Sequence, residues 1–589
     1  MRPHAPATAL EAVFSWAIRL AGNNSLRKET PMNKIYLTTS IPYVNAAPHV
    51  GFALELVQAD AYARHFRLLG HDLRFQCGTD DNSLKNVRAA EAAGLQVRDF
   101  VNANADRFER LGRRLDISNE EFVHTSRDPR HVACVHALWR ACAENGDLYR
   151  KAYEGLYCVG CEQFYEPSEL DDGRCPEHGI ALEIVREENW FFRLSRYGGR
   201  LLELIETGEF RIVPAHRRNE VLALLRRGLT DISVSRSAER ARGWGVAVPD
   251  SDGADGGEVV YVWFDALANY LTGLGHGADE ALVQPYWHGG ERIHVVGKGI
   301  SKFHAIYWPA ILLSAGLPPP SSLLVHGYVT VDGRKIGKSA GNGIDPEGII
   351  DTYGTPDALR YYLLRHIRSG DDGDFSAERL EAAWSDELAG QLGNLANRVL
   401  ALLDRSFGGI VPAVPDTEFV QQALRLPGKV AEAFDAYELH VGLTDIFEFI
   451  GEANRRFTKR APWADAKALL GDAAPEDRKA TAERLGACLA EQVFGLAIVA
   501  RCLLPFLPGS AAKLHSRLGI ASPRLYRDPM IVSGVKSRCT SRALSAKSGC
   551  LCVSGPRENI LRCKSAAQES VMKLSYWGHC RSRNNNLLF

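Results

Sequence analysis

The 589-residue chain carries a formal net charge of −1, with 24% charged residues. This balance excludes a histone-like polycation, although a local basic face would still allow nucleic-acid binding. Apolar residues make up 46% of the sequence, which is typical of globular proteins with large cores and predicts several domains. No run of eighteen apolar residues predicts a membrane span, and the thirteen cysteines form no disulfide framework, which favours a reducing cytoplasm.

The N-terminal part predicts a parallel-sheet unit. Residues 1–31 precede the first strand-like run, and we expect a disordered extension or a misplaced start there. Residues 34–39 predict a buried strand, and residues 52–69 predict a helix that ends at Gly70 because apolar residues recur at helical spacing. Residues 73–77 predict the next strand, so strand, helix and strand follow one another through short links.

The parallel pattern resumes after a region rich in cysteine, glycine and proline at about residues 150–180. Residues 292–297 predict a strand, residues 301–315 a helix and residues 323–327 another strand that leads into a glycine-rich loop. The sheet is therefore predicted to be split by an insertion. From about residue 378 to 517 the period is almost wholly helical, which indicates a helix bundle.

A short motif, Pro48-His49-Val50-Gly51, lies in the turn between the first strand and its helix. Ligands of open parallel sheets bind beyond the carboxyl ends of the strands, and a helix N-terminus offers free N–H groups to phosphate. A histidine there can add a hydrogen bond, and Gly51 allows close approach of the backbone. By itself, a histidine in a loop is more often a surface or packing residue.

A second motif, Lys335-Ile336-Gly337-Lys338-Ser339, lies in the glycine-rich loop. Two lysines three residues apart can clamp a polyphosphate, and their charges oppose the negative charge that develops on a leaving pyrophosphate. A basic loop without a partner motif is more often a solvated surface.

A third motif has the spacing of a metal site. Thirteen residues separate the pair Cys158-x-x-Cys161 from the pair Cys175-x-x-His178. Three thiolates and one imidazole suit a tetrahedral Zn²⁺ site. Because protein side chains fill all four positions, we expect a structural zinc knuckle without an open position for water.

The first two motifs together resemble the HIGH and KMSKS signatures of the class I aminoacyl-tRNA synthetases. Longer stretches are similar to methionyl-tRNA synthetases, and together they extend from about residue 33 to about residue 520. These stretches are 41–51, 153–165, 261–270, 303–312, 325–335, 357–365 and 453–463. The resemblance implies an α/β fold: a split Rossmann-like parallel-sheet catalytic domain with the zinc-knuckle insertion, followed by an α-helical anticodon-binding bundle.

The resemblance also implies how the chain is divided. The expected parts are the extension 1–31, the two catalytic halves 32–145 and 241–345, the insertion 146–240, a linking region that contacts the tRNA stem at 346–378, the bundle 379–525 and a basic tail 526–589. The tail has many serines and no clear period, so we expect it to be disordered or mistranslated, with contact to RNA as the alternative.

The family pattern further implies the substrate sites. His49, Lys335 and Lys338 would be catalytic, and ATP would also contact the remaining residues of the two signatures and one glycine after a strand. These are Pro48, Gly51, Gly297 and Ser339. A methionine pocket would be walled by aromatic and aliphatic groups, which suit a polarizable thioether, and Asp80 would pair with the substrate ammonium. Its other residues would be Ile41, Tyr43, Trp263, Ala266, Tyr270, Ile300 and His304. Without the resemblance, Trp263 and Tyr270 would be read as core residues.

In the helical half, the resemblance places Asn454, Arg455 and Trp463 in the anticodon-binding region. Asparagine can read base edges, and aromatic rings can stack on splayed bases; for Trp463, core packing is an equal alternative. The implied partners are ATP with Mg²⁺, L-methionine and tRNA(Met), and we expect a cytoplasmic monomer. Leucine, valine and isoleucine ligases usually carry a large editing insertion, for which the chain has no room.

Three positions near the expected chemistry depart from the family pattern. Phe52 replaces the last histidine of the first signature and cannot donate a hydrogen bond to ATP, a loss that can cost about 10²–10³ in rate. Gly299 replaces an aspartate that lies near the ATP ribose, and Asn82-Ser83 replaces a common His-Gly. Two alternatives to a working ligase therefore stay open: a paralogue that adenylates an amino acid for a non-tRNA acceptor, or an inactive tRNA-binding protein.

Overall fold

The computed structural model describes residues 33–158, 163–165, 167–177, 179–249, 257–331, 333–336, 343–471 and 474–520. The predicted extension and tail lie outside these ranges. Four predicted site residues also lie outside them, namely Cys161, His178, Lys338 and Ser339.

A six-stranded parallel sheet forms the centre of the N-terminal half, in the order β3-β2-β1-β11-β12-β7. Its strands are β1 (Lys34–Thr39), β2 (Asp72–Thr79), β3 (Glu121–His124), β7 (Arg211–Val213), β11 (Glu291–Gly297) and β12 (Ser322–His326). Strand β1 is almost continuously buried, as expected of a strand covered on both faces. It pairs with β2 on one side and β11 on the other, so the strand order reverses between β1 and β11.

Helices cover both faces of the sheet. They are α1 (Val50–Leu68), α2 (Leu84–Ala92), α3 (Val97–Arg114), α4 (Pro129–Glu144), α5 (Gly198–Thr207), α6 (Ala215–Arg227), α7 (Val262–Thr272) and α8 (Trp308–Ser314). The predicted split sheet and its connecting helices are confirmed. The predicted helix 301–315 is divided, because a π-type segment, Phe303–Tyr307, runs into α8.

The insertion forms a four-stranded antiparallel sheet in the order β5-β4-β6-β8. Its strands are β4 (Leu148–Cys158), β5 (Gln163–Tyr165), β6 (Glu183–Phe192) and β8 (Ile232–Ser233), and a short antiparallel pair follows, β9 (Ser235–Ser237) with β10 (Glu258–Val260). Strand β7 also comes from residues 146–240, yet it pairs in parallel with β12 at the edge of the main sheet. The insertion therefore returns one strand to the catalytic sheet.

A three-stranded sheet and two helices connect the two halves. Its strands are β13 (Val329–Val331), β14 (Arg334–Lys335) and β15 (Gly373–Phe375), and the helices are α9 (Pro346–Tyr353) and α10 (Asp357–Arg365). The bundle follows with α11 (Ala377–Ala382), a π-type segment (Ala383–Gly393), α12 (Asn394–Phe407), α13 (Glu418–Asp435), α14 (Leu439–Arg460), α15 (Pro462–Ala468), α16 (Pro475–Leu503) and α17 (Pro508–Leu518). The predicted bundle is confirmed.

Helix α16 is long and apolar enough to cross a membrane, and it is the one such helix found in the ranges given above. In this fold 89% of its most apolar window is buried inside the protein, where it packs against α13, α14 and α17. Its composition is thus accounted for by its place at the centre of the bundle.

Candidate active site

Segments of three neighbouring strands, β1, β2 and β11, meet at the carboxyl edge of the main sheet. The Ser40 N–H donates to the Val295 carbonyl (3.1 Å), and the Asp80 N–H donates to the Pro42 carbonyl (3.0 Å). These bonds join the loops after β1 and β2 to strand β11. The loops therefore surround the point where the strand order reverses, which is where open α/β sheets bind ligands.

A cavity of about 130 Å³ opens at this point. All eight residues that the sequence predicted for methionine binding line it, together with Ser40, Pro42, Leu267 and Asn269. The predicted eight are Ile41, Tyr43, Asp80, Trp263, Ala266, Tyr270, Ile300 and His304. An apolar cavity of roughly 150 Å³ can hold benzene, which has six heavy atoms. The slightly smaller cavity here is therefore large enough for a methionine side chain, which has four.

The innermost part of the cavity is uncharged. The Tyr270 hydroxyl lies 2.7 Å from His304 Nε2, and His304 Nδ1 lies 3.0 Å from the Ile300 carbonyl. This carbonyl can only accept, so Nδ1 carries the proton and Nε2 accepts from Tyr270. Burial lowers the pKa of His304 to about 4. The ring is therefore neutral at physiological pH, as suits an apolar substrate group.

The cavity mouth carries one acidic side chain, Asp80, which is 3% exposed. The Asn82 N–H donates to Asp80 Oδ1 (3.2 Å), and the Asn82 side-chain amide donates to Asp265 Oδ2 (3.0 Å). Ser83 then caps α2 by accepting from the Lys85 N–H. The Asn82-Ser83 pair thus holds the Asp80 loop in place.

His49 is the N-cap of α1. Its Nδ1 accepts from the Gly51 N–H (3.1 Å), so a neutral ring carries its proton on Nε2 and can donate from that atom. The residue is exposed at the surface, but partial desolvation of its ring lowers the pKa of His49. A Cβ on residue 51 would lie 2.8 Å from His49 Cε1. Glycine at this position therefore makes room for the histidine ring.

The second signature loop is anchored at both ends. Lys335 lies on β14 and pairs with Thr330 of β13, and the next residue, Ile336, is buried. At the far end, the Val50 N–H donates to the Ile344 carbonyl (3.2 Å). Residue 344 therefore directly contacts the helix terminus that carries His49. The chain between these anchors, which includes Lys338 and Ser339, lies outside the described residues.

Comparison with known proteins agrees with this geometry. Residues 35–181 and 160–400 match the family described as tRNA synthetases class I (M). The chain is also 37% identical to the methionine–tRNA ligase of Thermotoga maritima over 494 residues, which cover 82% of this chain and 75% of the relative. The chain belongs to the methionyl-tRNA synthetase family. The Brucella suis methionine–tRNA ligase is 38% identical over 84% of this chain and 94% of its own length.

A solved structure shows the same fold. The Mycobacterium tuberculosis methionyl-tRNA synthetase in complex with methionyl-adenylate superimposes with a TM-score of 0.77 and 37% identity, covering 83% of this chain and 94% of that chain. The free form of the same enzyme superimposes with a TM-score of 0.70 and 34% identity.

Phe52, which departs from the family pattern, is a packing residue here. It is 8% exposed, and its ring meets that of Phe108 edge to face with centroids 5.0 Å apart. The ring therefore belongs to the core between α1 and α3. The expectation that Phe52 weakens phosphate binding stays a prediction, and the observed packing gives the residue a structural role.

A buried carboxylate that the sequence analysis missed ties the site together. Glu55 accepts from the Ser40 N–H (2.9 Å), from the Ser40 hydroxyl (2.6 Å) and from His326 Nε2 (2.8 Å). It lies on α1, 3% exposed, and links the loop after β1 to the end of β12. A glutamate within the apolar Phe-Ala-Leu-Glu-Leu stretch was the available sequence signal, since buried charges need partners.

Two of the four predicted zinc ligands are described, and both are buried. Cys158 and Cys175 lie in one small apolar cluster with Tyr165, Leu170 and Leu182. Among the described residues no group of three possible metal ligands is found, since Cys161 and His178 fall outside them. The structure thus brings the two described thiols together.

In the bundle, Asn454 is engaged within the protein. Its side-chain N–H₂ donates to the carbonyls of Gln391 and Ile450 (both 3.1 Å), and its Oδ1 accepts from Arg398 (2.7 Å). Arg398 was missed by the sequence analysis; it is exposed and lies over the Phe457 ring. Asn454 therefore holds Arg398 at the surface.

The other two predicted anticodon residues are accessible. Trp463 is 49% exposed and meets Phe457 with its edge, so core packing alone does not account for it. The Arg455 side chain is 71% exposed, pairs with Glu452 (2.8 Å) and lines an open cleft of about 620 Å³. Exposed aromatic and arginine side chains are both groups that can stack on RNA bases.

Proposed function

We propose that this chain activates methionine with ATP and transfers it to the 3′ end of tRNA(Met). The observation that carries the proposal is the meeting of three parts at one edge of the sheet. These are the largely apolar cavity of about 130 Å³, the α1 terminus capped by His49, and the end of the signature loop bonded to Val50. The cavity would take the thioether side chain, the helix terminus would take a phosphate group, and the signature loop would supply the lysines that hold the phosphates.

In the first step, the methionine carboxylate attacks the α-phosphorus of ATP in line, and pyrophosphate leaves. His49 Nε2–H donates to a phosphate oxygen, while Lys335 and Lys338 oppose the charge on the leaving pyrophosphate. Mg²⁺ bound with ATP would neutralise further phosphate charge. Pro48, Gly51, Gly297 and Ser339 line the nucleotide path in this proposal. The positioning of reactants supplies much of the rate.

Asp80 binds the methionine ammonium in this proposal. A carboxylate beside an uncharged cavity fixes one end of the amino acid while the thioether enters the other. The Asn82 bonds orient the loop that presents this carboxylate. This arrangement leaves the substrate carboxylate directed toward the α1 terminus.

In the second step, the 2′-hydroxyl of the terminal tRNA ribose attacks the carbonyl carbon of the adenylate, and AMP leaves with its phosphate. Trp463, Arg398 and Arg455 would contact the anticodon, with Asn454 positioning Arg398. The described contacts of Asn454 support this division of roles.

Zn²⁺ would be held by Cys158, Cys161, Cys175 and His178. Three thiolates and an imidazole have the right chemistry for a closed structural site, and the joint burial of Cys158 and Cys175 supports it. When bound, the ion would cross-link the tip of the insertion. We further propose a cytoplasmic location and a monomeric state.

The deciding experiment is amino-acid-dependent exchange of pyrophosphate into ATP, run with each of the twenty amino acids, followed by charging of tRNA(Met). We expect exchange with methionine and charging of tRNA. Exchange without charging would instead support a non-tRNA acceptor. Binding of tRNA without exchange at any methionine concentration would support an inactive tRNA-binding protein.

A further inference from the structure

Gly299, which stands where the family has an aspartate, lies directly beside Tyr328. A Cβ built on Gly299 would lie 1.9 Å from the Tyr328 hydroxyl oxygen and 3.2 Å from Tyr328 Cζ. No side chain fits at residue 299 while Tyr328 keeps this position. The space that a side chain at 299 would take is therefore filled by the tyrosine hydroxyl.

Tyr328 is held in this position through both its backbone and its ring. Its N–H donates to Asp372 Oδ1 (2.8 Å), and its carbonyl accepts from the Gly373 N–H (2.9 Å). The Lys298 ammonium, paired with Asp372 (2.7 Å), lies 4.7 Å from the centre of the Tyr328 ring. Tyr328 is thus held by two hydrogen bonds of its backbone and by a contact of its ring with Lys298.

The Gly299–Tyr328 pair lies at the carboxyl edge of the main sheet, in the segments that follow β11 and β12. The residue after Gly299 is Ile300, which lines the cavity, and the residue after Tyr328 begins β13, which pairs with β14 and Lys335. A nucleotide bound at this edge between the cavity and Lys335 would lie beside this pair. A phenol is uncharged at neutral pH and can donate or accept, so it suits a sugar hydroxyl better than a phosphate.

We propose that the Tyr328 hydroxyl binds a ribose hydroxyl of ATP, and that Gly299 is required because its missing side chain makes room for this contact. The inference rests on the proposed ATP-dependent activation. Tyr328 is then a specificity residue for ribonucleotides. Without a side chain at 299, this chain places a polar group there from the link between β12 and β13.

The test is methionine-dependent exchange with ATP, 2′-deoxy-ATP and 3′-deoxy-ATP as varied substrates. Tyr328→Phe should raise the KM for ATP about tenfold, the effect of one neutral hydrogen bond, with the KM for methionine unchanged. On the deoxy analogue that lacks the bound hydroxyl, the wild-type chain and Tyr328→Phe should perform equally. Tyr149→Phe is the matched control, since its hydroxyl bonds Asp231 in the insertion, and it should leave every KM unchanged.

A double-mutant cycle tests the role of Gly299. Gly299→Ala should raise the KM for ATP as much as Tyr328→Phe does, because the added Cβ displaces the hydroxyl. In the Tyr328→Phe background, Gly299→Ala should add little. An unchanged KM for ATP in Tyr328→Phe, equal losses on all three nucleotides, or additive effects would overturn the inference alone. Absence of methionine-dependent exchange in the wild-type chain would overturn the proposed function as well.

Discussion

At the scale of single residues, His49 belongs to the first signature, and its hydrogen bonding fixes which ring nitrogen carries the proton. Its Nδ1 is occupied by the Gly51 N–H (3.1 Å), which leaves Nε2–H to face a ligand at the helix terminus. Two effects that favour phosphate, the positive end of the helix dipole and the imidazole donor, therefore act at one place.

We predict that His49→Ala lowers kcat for methionine-dependent exchange by about 10²–10³, the cost of one preorganised donor to developing charge. The unfolding temperature should fall only slightly, because the variant loses one helix-capping hydrogen bond, worth about 0.5–2 kcal/mol. His216→Ala, at an exposed position on α6, is the control and should retain full activity. Equal activity of the two variants would remove His49 from the mechanism.

Buried histidines predict a pH dependence of stability. Burial lowers the pKa of His65 and of His304 to about 4. Below pH 6.5 the unfolded chain takes up these protons while the folded chain does not, until about pH 4. As the pH decreases through that window, the free energy of unfolding should therefore decrease by roughly 1.4 kcal/mol per pH unit for each histidine.

The measurement is the thermal unfolding midpoint at pH 7 and pH 5, in the wild-type chain and in His65→Asn. We expect a lower midpoint at pH 5 and a smaller pH effect in the variant. An identical pH effect in the two proteins would show that His65 is not among the groups responsible.

At the scale of elements, helix α1 has two tasks: its N-terminus meets the ligand site and its flank packs on α3. Phe52 serves the second task through Phe108, although it occupies a signature position. Phe52 therefore has a packing role at a position that the motif alone would assign to ATP.

We predict that Phe52→His destabilises the protein by about 1–3 kcal/mol, because it buries a polar ring without a partner. Phe52→Leu, which keeps an apolar side chain, is the comparison and should be the more stable of the two. Faster exchange in Phe52→His with an unchanged unfolding midpoint would favour the phosphate role inferred from the sequence.

The tip of the insertion gives a second test at this scale. We predict that the purified chain contains one Zn²⁺ and that Cys175→Ser loses it, because a closed tetrahedral site needs all four ligands. Cys142→Ser, which alters a buried thiol of α4 outside the insertion, should keep the metal. Elemental analysis decides the matter, and retention of zinc by Cys175→Ser would refute the ligand set.

At the scale of the whole molecule, a buried ion network joins the sheet domain to the bundle. Asp60 of α1 pairs with Arg64 and with Arg360 of α10 (both 2.7 Å). Arg360 also donates to the carbonyls of Phe506, at the end of α16, and Leu115. Burial raises the pKa of Asp60, but the two guanidinium groups outweigh it and hold the pKa below its usual value.

Arg360→Met should cost about 3–5 kcal/mol, because the buried Asp60 carboxylate loses one of its two guanidinium partners and two buried carbonyls lose their donor. Arg113→Met is the control, since the Arg113 side chain is 64% exposed and its pair with Glu109 is an i,i+4 surface contact, worth about 0–1 kcal/mol. Thermal unfolding compares them, and similar midpoints would show that the network does not stabilise the molecule.

The sequence by itself determined the parallel strands, the helix after β1, the helical bundle and the eight residues around the cavity, because these depend on local periodicity and on motifs that resemble a known family. Only the tertiary structure decided that Phe52 packs on Phe108, that β7 returns to the main sheet, that Asn454 holds Arg398 and that Tyr328 fills the space beside Gly299. The physical reason is common to all four. Each joins residues far apart in the chain, so no local pattern contains both partners.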